Sequence, residues 1–137
     1  MHKHLKVLAM LVACGVCLSS WFSEANPPRE LTHKFPHKLN AERISTFIAQ
    51  HKKWRILEGK LTIQYRFQDG FKGAVQFVQD LVDPADSMNH HPEISISYNR
   101  VTISLVTHDA GGITSLDLKL AEIIEAKYQA KHTTQKK

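Results

Sequence analysis

The chain has 137 residues, 42% hydrophobic and 23% charged, which suits one folded domain and argues against a disordered, fibrous or multidomain protein. Its formal charge of +5 would suit an anionic partner, but part of the excess sits at the ends (Lys3, Lys6, Lys127, Lys131, Lys136, Lys137). No central basic stripe with interleaved aromatics accompanies it, so a nucleic-acid partner is not expected.

Residues 1–25 read as an address rather than as part of the fold. A basic opening, MHKHLK, precedes the apolar run VLAMLVACGVCL, and Ser23-Glu24-Ala25 offers small residues where a signal peptidase reads. The run is too short for an ordinary membrane span. Export is therefore expected, to a secreted, periplasmic or organellar destination, with the cytoplasm as the alternative if the leader does not function. Leu11-Val12-Ala13-Cys14 also resembles a lipidation box, a second way of cutting the same segment. Cys14 and Cys17 form a C-x-x-C without the strand–helix context of redox or metal chemistry. Residues 26–38 contain Pro27, Pro28 and Pro36 and no apolar periodicity, which predicts a linker or extended arm. His33 and His37 have helical metal-ligand spacing, but Pro36 between them argues against a helix.

The folded domain is expected over 39–130, with a basic tail at 131–137. Asn40 can cap a first helix whose apolar positions are Ile44, Phe47 and Ile48, ending near His51. Trp54 to Leu57 reads as a short strand and Glu58-Gly59 as a turn. Leu61, Ile63, Tyr65 and Phe67 then alternate with Thr62, Gln64 and Arg66, the pattern of a half-buried antiparallel strand. Asp69 or Gly70 opens a second helix with Phe71, Ala74, Phe77, Val78 and Leu81 on one face. Pro84 should end or kink it, or start a further turn toward Met88. A hairpin follows, Ile94, Ile96 and Tyr98 answered by Val101, Ile103 and Leu105, with its turn expected at Asn99-Arg100. Thr114 begins the last helix, in which Leu118, Ala121 and Ile124 point inward. The fold class is α+β: a four-stranded, mainly antiparallel sheet with three helices packed on one face.

Nine histidines are many for so short a chain, and imidazole is the side chain that titrates near neutral pH. His90 and His91 precede Pro92 where one hairpin strand starts, and His108 lies where the other ends. A turn at Asn99-Arg100 would set His91 opposite His108, bringing three imidazoles to one end of the sheet. The residues alone leave three readings: incidental or structural histidines, a zinc set completed by Asp109, or acid–base catalysis. Thr114-Ser115-Leu116-Asp117 reads as a capping box. Gly111-Gly112 reads as the bend leading into the last helix.

The stretch NHHPEISISYNRVTISLVTHDAGGIT resembles the signature of the pterin-4a-carbinolamine dehydratases. The similarity runs from about Leu39 to about Ala126 and includes Trp54 and the spacing of Phe71, Ala74 and Phe77. It implies dehydration of 4a-hydroxytetrahydropterins without metal or cofactor, by dimers or tetramers. Matched position by position, it implies that His90, His91 and His108 are catalytic, with His91 and His108 exchanging protons and His90 positioning substrate. It places Asp117, Asn89 and Pro92 at the pterin pocket. The chain departs from the pattern at Ile94, where animal members often have Trp, and at Asn89, frequently Asp. Some relatives also serve as dimerisation partners of transcription factors. A pterin-binding or dimerisation module without turnover is therefore the alternative function.

Overall fold

The computed structural model describes residues 36–134, with side chains to Lys131; the leader, most of the proline-bearing arm and the last three residues lie outside that range. Helix α1 (Ala41–Gln50) starts at Asn40, whose side-chain oxygen accepts from the Arg43 backbone N–H at 3.0 Å. Strands β1 (Arg55–Leu57) and β2 (Lys60–Arg66) form a hairpin through Glu58-Gly59, both at positive φ, as a tight primed turn requires. Helices α2 (Gly70–Gln79) and α3 (Val82–Met88) follow, then β3 (Glu93–Ser97), β4 (Arg100–Leu105), a 3-10 turn at His108–Ala110 and α4 (Ser115–Thr134). All pairings are antiparallel and the strand order is β1-β2-β4-β3. This is the expected α+β sheet with three helical stretches, the middle one divided into α2 and α3.

The division falls at Asp80-Leu81, ahead of Pro84. Pro84 instead occupies the first turn of α3, where its missing N–H costs no hydrogen bond. One sheet face carries Leu61, Ile63, Tyr65, Val101, Ile103 and Leu105, all buried against Phe77, Leu81, Leu120 and Ile124 from the helices. Burying these side chains is the main stabilising term, at about 1.5–3 kcal/mol for each large one. The other face is polar: Thr62 bonds Ser104 and Gln64 bonds Thr102, each at 3.0 Å. Phe71 departs from the expected buried stripe and is 56% exposed. At 3.6 residues per turn it sits about 60° around the helix from Ala74 and about 120° from Phe77. Among the described residues no helix is long and apolar enough to cross a membrane.

The β3–β4 turn is Tyr98-Asn99, one residue earlier than expected, and the register runs from Glu93↔Ser104 to Ser97↔Arg100. Continuing that ladder does not set His91 opposite His108. The expected and observed registers differ by two residues, which leaves the same side chains facing inward, so hydrophobic alternation cannot separate them. Asn99 decides: its side-chain amide donates to the Phe67 carbonyl at 3.0 Å, and its own carbonyl accepts from the Phe67 N–H at 2.8 Å.

Candidate active site

The chain reaches the first histidine through the end of α3. Asn89 takes a left-handed conformation (φ 46°) that closes this helix, one of the few non-glycine residues that do so readily. The His90 N–H then bonds the Ala85 carbonyl at 3.0 Å, and the imidazole turns inward to 7% exposure. There its Nε2 lies 2.8 Å from Asp117 Oδ1.

Asp117 is fully enclosed, at 0% exposure. The expected capping box is present: Thr114 N–H donates to Asp117 Oδ2 at 2.7 Å, and Leu116 N–H donates to Thr114 Oγ1 at 3.2 Å. The Thr107 hydroxyl also donates to Oδ2 at 2.8 Å. The carboxylate is an acceptor, so His90 Nε2 carries the proton of their hydrogen bond and Nδ1 is left as the ring's other polar atom. Asp117, expected both as a cap and at the pterin pocket, takes the capping position and holds the His90 ring. Its enclosure is complete, and its two oxygens serve the start of α4 and the His90 imidazole.

His91 and His108 sit outside this network. His91 precedes Pro92, which restricts its backbone to extended conformations. Its exposed ring places Nε2 2.8 Å from Asp86 Oδ1, on α3. An apolar crevice of about 170 Å³ opens beside it, lined by Val78, Leu81, Ala85, Pro92 and Ile94. Pro92 thus forms part of a wall, whereas Asn89 serves the backbone turn and is not among the crevice residues. Larger hollows of about 420 and 300 Å³ lie along α1 and α4 and include none of the three histidines, so chemistry rather than volume locates the site.

His108 stands on a tight loop held at its base by reciprocal Thr107 and Gly112 backbone bonds of 3.0 and 3.3 Å. Gly111 supplies the left-handed residue this loop needs. The ring is 77% exposed, with Nε2 3.5 Å from Glu93 Oε1. Lys60 Nζ reaches both oxygens of Glu93, at 2.8 and 2.6 Å. That lysine, with a smaller contribution from His108, holds the Glu93 carboxyl below the usual carboxylate range.

All three histidines thus lie at the sheet end where β3 starts and β4 finishes, and each faces its own carboxylate. Among the described residues no three His, Cys, Asp or Glu side chains converge as a metal site. Sequence reading missed Asp86, Glu93, Lys60 and Thr107. Asp86 stands five positions before His91, spacing that could have suggested a partner across the end of a helix. Lys60 becomes a neighbour only through the strand order, which local pattern does not contain.

A family model described as pterin 4 alpha carbinolamine dehydratase matches residues 37–127. A protein of Cyanothece sp. (strain PCC 7425 / ATCC 29141), provisionally named a pterin-4-alpha-carbinolamine dehydratase, is 46% identical over 86 residues, 63% of this chain and 88% of the relative. A similarly named protein of Nostoc punctiforme is 52% identical over 71 residues, 52% of this chain and 75% of the relative. A crystal structure described as a transcriptional coactivator/pterin dehydratase from Brucella melitensis superposes with a TM-score of 0.62 at 29% identity, covering 66% of this chain and 98% of that one.

Proposed function

The chain belongs to the pterin-4α-carbinolamine dehydratase family, and from that premise we propose that it is a hydro-lyase converting 4a-hydroxytetrahydropterin to quinonoid dihydropterin and water. The observation that carries this reading is the group of three histidines at one sheet end, each with a separate carboxylate at 2.8–3.5 Å, and with His91 lining an apolar crevice. In the elimination an acid protonates the C4a hydroxyl and the C4a–O bond breaks, its electron pair leaving with water. A lone pair of the ring nitrogen system forms the new double bond to C4a, and a base accepts the proton that nitrogen releases. An imidazole with an ordinary pKa near ~6.5 serves in either role at neutral pH.

His91 and His108 are the proton-transfer pair, since both rings are open to a ligand. His90, fixed by Asp117, positions substrate through Nδ1. Pro92 and Ile94 supply an apolar wall for a flat ring. The biological setting is tetrahydrobiopterin recycling. The test is the rate at which the purified protein removes the 4a-carbinolamine absorbance.

A second reading, a binding or dimerisation module without turnover, draws on the coactivator named for the Brucella melitensis structure. The intact set of three histidines favours turnover. Two further proposals accompany the function. The leader directs export, as its sequence layout suggests. The protein forms a dimer or tetramer, which would cover the edge strands β1 and β3 and the exposed Leu57, Phe71 and Val82.

A further inference from the structure

We propose that Glu93, gripped by Lys60, is the positioning residue that holds the His108 imidazole in its working orientation. The inference rests on the reading of His108 as a proton-transfer group. Its ring projects from the loop at 77% exposure. Among the described residues its ionic partner is Glu93, at 3.5 Å. That separation exceeds a hydrogen bond, and contacts of this kind tighten when a site is loaded.

A lone exposed glutamate would be a poor guide, because it samples several rotamers. Glu93 is not alone. Lys60 opens β2, Glu93 opens β3, and β4 runs between them; Ser104 of β4 stands opposite both Glu93 and Thr62. Lys60 lies two residues before Thr62 and so shares this sheet face. From there its ammonium spans β4 and contacts both carboxylate oxygens, at 2.8 and 2.6 Å. The grip limits the carboxylate to a narrow range of positions and leaves Oε1 toward His108. Glu93, like any exposed carboxylate, is ionised in the neutral range and is a constant acceptor there, and the same lysine lowers its pKa further. His108 Nε2 is then the nitrogen held by the protein, and Nδ1 is the one offered to substrate.

An exposed ion pair that merely ties two strands contributes little, and its loss would not alter how His108 behaves. Variants of the full chain separate the two roles: Glu93→Gln and Lys60→Met remove the grip, and Lys60→Arg preserves it. Three-bond couplings read the His108 χ1 rotamer, and steady-state assays read kcat and KM for carbinolamine loss. The expected wild-type result is one dominant rotamer. In Glu93→Gln and Lys60→Met the couplings should average, and kcat should fall about tenfold with KM nearly unchanged, as expected for a misplaced group. Lys60→Arg should retain both properties. A rotamer already averaged in the wild type overturns the proposal. So does an unchanged kcat in Glu93→Gln, even if the couplings shift. If the wild type has no turnover, the dehydratase reading fails, and the couplings alone decide whether Glu93 orients His108.

Discussion

Substitution of Asp117 separates scaffold from chemistry. Its carboxylate accepts from His90 Nε2 at 2.8 Å, Thr107 Oγ1 at 2.8 Å, Thr114 N at 2.7 Å and Thr114 Oγ1 at 3.2 Å. In Asp117→Ala the two threonine hydroxyls, already 2.8 Å apart, can bond each other. The Thr114 N–H and the His90 ring N–H are left as buried donors. At about 1–3 kcal/mol for each orphaned group, the loss is about 2–6 kcal/mol. Against a total stability of roughly 5–15 kcal/mol, that variant folds marginally. Asp117→Asn is the sharper probe. Its oxygen can keep the Thr107 and Thr114 bonds, which preserves the cap, but its amide nitrogen then faces His90 Nε2. The imidazole must become the acceptor there and move its proton to Nδ1, the nitrogen proposed to meet substrate. Stability should fall by about 1–3 kcal/mol, while turnover falls about 10²-fold, as expected when a positioning group is lost. Urea denaturation, long-range ¹H–¹⁵N spectra of His90 and the carbinolamine assay read these effects separately. Full turnover in Asp117→Asn with an inverted His90 tautomer would refute the role given to that ring. A fully stable Asp117→Ala would refute the network.

Replacing either His91 or His108 by Ala should cut turnover about 10²–10⁴-fold and leave the denaturation midpoint unchanged, because both rings are exposed; a chelator should not affect the wild type, and loss of activity restored by zinc would contradict the mechanism. Burial raises the Tyr65 phenol above its ordinary value, so the unfolded chain ionises first and stability should fall as pH rises beyond about 10. Tyr65→Phe should flatten that alkaline decline in denaturation midpoints, and an identical slope would contradict the assignment. Light scattering at micromolar concentration should give a dimer or tetramer, and a monomer would count against the proposed assembly. Intact-mass measurement on protein from its native host should begin at Asn26, and a cytosolic species retaining Met1 would overturn the export proposal.

Much of this molecule was readable from local pattern. The Asn40 cap, the alternation in β2 and the Thr114–Asp117 capping box each depend on residues a few positions apart, and each is present. What pattern could not supply came from elsewhere in the chain. The β3–β4 register turns on Asn99 meeting Phe67, a contact across 32 residues. The Lys60–Glu93 grip spans 33 residues and one intervening strand. The site divides in the same way. His90, His91 and His108 stand out by residue type and position, whereas their partners do not. Asp117 could be read as a cap, but its fourth donor, His90, required knowing that α3 ends beside α4.

The central claim is dehydration of a pterin carbinolamine, and rapid-mixing measurement of 4a-carbinolamine absorbance tests it most directly. Purified wild-type protein should accelerate the decay saturably with substrate, and a His91→Ala, His108→Ala double variant that remains folded should return it close to the uncatalysed rate. Decay at the uncatalysed rate with folded wild-type protein would contradict the claim, as would an acceleration that survives loss of both histidines.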